Sequence, residues 1–87
     1  MVKYLSDGER QTFMERLNQI NDWMIERVMT GTHQGGEFAV AMTTVNSYIC
    51  HINEYGIRFD RLKNRVRDDL AEFYVMGGPL ADCPTQL

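Results

Sequence analysis

Apolar residues recur along the first third of the chain at Phe13, Leu17, Ile20, Met24 and Val28, while Glu15, Asn18, Asp22 and Glu26 occupy the other faces. Steps of four, three, four and four predict an amphipathic helix with one buried stripe. Its start is marked by "SDGE", Ser6 to Glu9, in which the Ser6 hydroxyl can accept from the Glu9 amide while the Glu9 carboxylate reaches back to the Ser6 amide. A helix over about 7–29 follows, and "TGTHQGG", Thr30 to Gly36, supplies a glycine C-cap and a flexible link.

From Phe38 the character changes, because no Asp, Glu, Lys or Arg stands between Glu37 and Glu54. A helix without a charged face is expected to be buried on several sides. Its larger residues, Phe38, Met42, Val45, Ile49 and Ile52, keep a helical rhythm, and Ala39, Thr43, Ser47 and Cys50 form a small-residue stripe where another helix could come close. The rhythm runs on through Tyr55, Phe59, Leu62, Val66, Leu70 and Phe73 until "MGGP" ends it. Residues 79–87 read as a flexible polar tail.

Gly56 decides the architecture. A break there would give helices at about 7–29, 37–55 and 59–76, with Ile57 packing back on Ile52 in a Schellman arrangement and Asp60 capping the third helix. At 1.5 Å per residue these span about 35, 29 and 27 Å, a matched set for a bundle. Against a break, the apolar rhythm crosses Gly56 in phase, and an interior glycine costs only ~1 kcal/mol relative to alanine. A third helix starting near Asp60 would also set Arg61, Lys63, Arg65 and Arg67 in its positive N-terminal half and Asp68, Asp69 and Glu72 at its negative end, against the macrodipole. The expectation is one all-α domain over 1–78, a small helical bundle of two to three helices with a bend or break near Gly56. Dimerisation is expected because the leading helix alone offers too little apolar cover, and Phe38, Met42, Val45, Ile49, Ile52, Tyr55 and Phe59 are the expected oligomer interface.

Length and charge narrow the function. At 87 residues the chain is one small domain, and a net charge of −3 does not suit a general nucleic-acid binder. No apolar run approaches the ~18 residues of a membrane span, and the N-terminus lacks the apolar stretch of a secretory signal, so a cytoplasmic location is expected. Cys50 and Cys83 lie far apart without CxxC spacing and read as free thiols.

Candidate chemistry is sparse. "GTHQGGE", Gly31 to Glu37, has the glycine spacing of a phosphate loop but carries Glu37 and Phe38 where Lys and Ser or Thr are needed, so it reads as a linker. Cys50 and His51 are adjacent, and neighbouring helical side chains diverge by about 100°, so they do not converge on a metal, with His33 remote in the linker. No catalytic group, metal site or cofactor is expected. The uneven feature is charge: five of the nine basic residues, Arg58, Arg61, Lys63, Arg65 and Arg67, fall within ten positions. Arg58, Arg61 and Arg65 would share a helical face able to meet phosphates or an acidic partner. Trp23, at the margin of the first stripe, is of the type that anchors a protein partner. Trp23, Arg58, Arg61, Lys63 and Arg65 are therefore the expected contact residues of a non-catalytic protein-interaction module, an inhibitor or adaptor that binds a larger protein and is itself a homodimer. The alternative is nucleic-acid or nucleotide binding through the basic stripe 58–67. In general character rather than by any motif, the chain resembles small phage-encoded inhibitors such as anti-CRISPR proteins, which implies the same non-catalytic role.

Overall fold

The computed structural model describes residues 3–31 and 35–87. Among them run three α-helices, α1 (Asp7–Met29), α2 (Gly36–Tyr55) and α3 (Asp60–Ala71), then a 3-10 turn at Glu72–Tyr74, with no strand. His33, with its neighbours at 32 and 34 in the phosphate-loop-like segment, lies outside the described residues. The start of α1 is the capping box: the Glu9 N–H donates to Ser6 Oγ at 3.1 Å and the Ser6 N–H donates to a Glu9 carboxylate oxygen at 3.2 Å. Phe13, Leu17, Ile20 and Met24 are buried along one stripe, whereas Val28 is 41% exposed. Two successive steps of four advance the position by about 80° around the helix, which carries Val28 off the stripe to its flank.

The helix α2 ends at Tyr55, and the Gly56 N–H closes its last turn on the Ile52 carbonyl at 2.7 Å. Gly56 has φ 82° and ψ 175°, an orientation open to glycine alone, and it sends the chain into an extended path rather than the left-handed helical turn of a Schellman cap. A contact between segments far apart in sequence uses that path. The Leu5 N–H donates to the Arg58 carbonyl at 2.9 Å and the Asp60 N–H to the Lys3 carbonyl at 2.8 Å, making an antiparallel bridge of Tyr4 with Phe59. Asp60 does not cap α3; Phe59 holds the N-cap position, and the Asp60 carboxylate instead accepts the Lys3 N–H at 2.9 Å.

The core is built inside one chain. Phe38, Ala41, Val45 and Ile52 of α2 and Val66 and Leu70 of α3 meet the α1 stripe, joined by Leu5, Ile57 and Phe73. Three of the residues expected to line an oligomer interface, Phe38, Val45 and Ile52, are thus at most 5% exposed and are consumed internally. Met42 and Ile49 pack at the core's edge, while Tyr55 and Phe59 are exposed. The small-residue stripe Ala39, Thr43, Ser47 and Cys50 faces solvent and not a helix. Uncharged is not the same as apolar: hydroxyls and amides face outward on α2, and Thr43 and Thr44 donate to the Ala39 and Val40 carbonyls, each at 2.9 Å.

Helical rhythm also misplaces the chain's end. The third helix stops at Ala71, short of the expected 76, and the supposed tail is part of the core: Pro79 is buried, Leu80 is 0% exposed and Cys83 6%. The Leu80 N–H donates to the Phe73 carbonyl at 2.8 Å and the Tyr74 hydroxyl to the Thr85 carbonyl at 3.0 Å. A Cβ on Gly78 would stand 2.6 Å from the Phe73 carbonyl oxygen, so the turn requires glycine there. Three apolar residues spaced among polar ones carry no helical period, and their burial is invisible to a periodicity argument. Leu80→Ala should lower the free energy of unfolding in urea by about 2–5 kcal/mol, as for a core leucine; a change near zero would mean that the segment is a tail after all.

Candidate functional site

The extended link between α2 and α3 gathers the basic residues. Arg58, Arg61 and Arg65 rim an open groove of 560 Å³ whose floor is Gly56, Phe59 and Leu62. Among the described residues no carboxylate forms an ion pair with these three guanidinium groups. Lys63 and Arg67, the other members of the cluster, turn to a different side, where with Arg16 of α1 they border a hollow shared with Glu9. One run in the sequence therefore becomes two surfaces, and Lys63 does not join the arginine groove. Periodicity accounts for the split within α3, where 61 and 65 are four apart and 63 and 67 lie on another face, whereas Arg58 precedes the helix and joins the groove through the extended link.

The groove is aromatic as well as basic. Phe59, counted by rhythm as a core position, is 38% exposed, and its ring lies 4.5 Å from that of Tyr4, which is 72% exposed. Tyr55, 67% exposed, precedes Gly56 and stacks obliquely on His51 with centroids 4.9 Å apart. Sequence spacing could not reveal this grouping, because Tyr4 stands 55 positions before Phe59 and reaches it only through the bridge. Arg65 links the groove to the inter-helix contact. Its guanidinium is beside the Tyr48 hydroxyl, which donates to the Asp69 carboxylate across the α2 and α3 interface. Burial raises the Tyr48 pKa, and the bond to Asp69 and its charge raise it further, with Arg65 opposing.

Trp23 belongs elsewhere. It is half-buried against the core, and the Arg27 guanidinium lies 4.7 Å from its ring centroid, a cation–π contact within α1. Seventeen residues of helix separate it from Ser6, about 25 Å, so it does not share a contact surface with the groove at the other end. A larger hollow, 670 Å³ between α3 and residues 86–87, sets Asp68 against Arg67 and thus offers no single sign of charge. Among the described residues no cluster of His, Cys, Asp and Glu could hold a metal ion, and no helix is long and apolar enough to cross a membrane.

No family model, curated protein or solved structure matches this chain.

Three protons near the α3 end of the bundle respond to folding. Burial pushes the Tyr74 hydroxyl well above the ordinary value of 10.0, with the Cys83 charge adding to it, and burial pushes the Cys83 thiol above 9.0. Together with Tyr48, these groups hold their protons more tightly when folded, so their contribution is complete below the ordinary values and is lost as pH rises through the folded ones. The urea midpoint should fall as the pH climbs past 9.0 and then 10.0, and Tyr48→Phe with Tyr74→Phe should flatten that fall. A midpoint constant through this range in the wild type would contradict it.

Proposed function

We propose that the protein is a non-catalytic interaction module, an inhibitor or adaptor that binds a larger protein by seating one of its acidic segments on the arginine groove. The observation that carries this reading is the set of three guanidinium groups without carboxylate partners around an apolar floor. An acidic segment with apolar anchors satisfies both parts at once: carboxylates take the forked donors of Arg58, Arg61 and Arg65, and a hydrophobic side chain covers Phe59 and Leu62. Such a surface acts by occupancy, which needs no catalytic group. Self-association as a homodimer is part of the same reading.

The exposed ring of Phe59 among these arginines, with Tyr4 stacked against it and the exposed Tyr55 just before Gly56, favours a second reading, single-stranded nucleic acid stacked on the aromatics. The net charge of −3 weighs against it at long range.

One experiment separates the two. With p-benzoylphenylalanine in place of Tyr55, irradiation in the native host should give an adduct that protease removes and nuclease does not. The adduct yield should drop at least about tenfold in the Arg58→Glu, Arg61→Glu double variant, because reversing charges at a desolvated contact costs affinity steeply. A glutamate at 61 in the first turn of α3, and one at 58 just before its N-cap, agree with its macrodipole, so the variant should be as stable as the wild type or slightly more so, and a lost adduct cannot be ascribed to unfolding. A nuclease-sensitive adduct transfers the groove to the second reading, and no adduct that responds to the double variant discards both.

A further inference from the structure

We infer that the face formed by α1 and α2 on the side away from α3 is where a second copy of this chain docks. This deepens the self-association in the proposed function by naming its surface, and it stands apart from the arginine groove.

The bundle is three-sided only in part. On α1, Glu9 and Arg16 border the same hollow as Lys63 and Arg67, so that flank of the buried stripe looks toward α3. Helical spacing of about 100° per residue puts Met14, Asn21, Ile25 and Val28 on the opposite flank. On α2, Tyr48 reaches Asp69 and marks the flank toward α3, which leaves Met42 and Ile49 on the other side of Val45. The two outer flanks meet along the seam between α1 and α2, with no third helix over them.

What lies there is apolar and uncharged. Ile25 is 39% and Val28 41% exposed, and Met14, Met42 and Ile49 are half-buried at the core's edge. Four of the chain's five asparagines, Asn18, Asn21, Asn46 and Asn53, share the same side. Charges return at the margins: the Arg10–Asp7 ion pair at the start of α1, then Asp22 and Glu54.

Charge selects the occupant. Two identical chains bring identical charges to a two-fold contact, and each carries a net −3, so a face that pairs with itself is favoured when it is free of charge. Carboxamides suit such a contact because each is both donor and acceptor and can pair with its own kind. Asn21 is half-buried at the seam with its Oδ1 buried, so the amides that a second copy can reach are those of the exposed Asn18, Asn46 and Asn53.

Sedimentation velocity on the full chain, from low micromolar concentration upward, should show a monomer–dimer equilibrium. Asn46→Asp with Asn53→Asp, two isosteric changes at exposed positions, should weaken the dimer at least about tenfold by setting like charges on the facing surfaces. Added salt should restore part of that loss. Ile25→Glu should act in the same direction, whereas Val40→Glu, exposed on the row of Thr44 and Tyr48, should leave the equilibrium unchanged; circular dichroism confirms that each variant is folded. A wild type that remains monomeric throughout overturns self-association altogether. A dimer indifferent to Asn46→Asp with Asn53→Asp and to Ile25→Glu overturns this surface while leaving self-association intact. Neither result touches the arginine groove, which is read by the adduct at position 55.

Discussion

The antiparallel contact between Lys3–Leu5 and Arg58–Asp60 governs where α3 lies. Two backbone hydrogen bonds and the Lys3 N–H to Asp60 carboxylate bond hold the link after Gly56 in an extended form, so the chain reverses without a tight turn. Leu5 and Ile57 are buried beside that contact, 6% and 4% exposed, and close the lower end of the core. Without it, the link would have only the φ 82° of Gly56 to define its direction. With it, the starts of α1 and α3 are neighbours, and α3 runs back along α2 with Val66 and Leu70 turned inward.

That arrangement overrides an electrostatic preference. Arg61, Lys63 and Arg65 stand in the N-terminal part of α3, and no basic residue stands in its last turn. Each unfavourable terminal charge costs about 0.3–1 kcal/mol at an exposed position, and salt screens it. Burying Val66, Leu70 and Phe73 contributes about 1.5–3 kcal/mol apiece, so packing wins. A local rule is broken where the arginines collect, and a departure of that kind tends to coincide with a functional surface. Two of the residues that oppose the macrodipole, Arg61 and Arg65, stand on the rim of the groove.

Burial of α2 illustrates a different balance. A run without charged residues suggests cover on every side, yet Thr, Asn, Ser and His side chains satisfy the solvent-facing half of that helix. Its apolar half is covered by α1 and α3, which leaves Met42 and Ile49 at the seam on the outer side. The interface expected from the pattern is thereby divided: Phe38, Val45 and Ile52 go to the core, Tyr55 and Phe59 to the arginine end, and the two seam residues to the open face.

Local chemistry was legible in the sequence: the capping box at Ser6, the buried stripe Phe13 to Met24, and the shared face of Arg61 and Arg65 on α3. Each depends on residues within a few positions of one another, where helical geometry alone relates them. Tertiary structure decided what joins elements remote in sequence. Tyr4 beside Phe59, Leu80 and Cys83 in the core, and Arg58, outside α3, beside Arg61 and Arg65 all follow from which surfaces the folded chain brings together, and no period in the sequence records that choice.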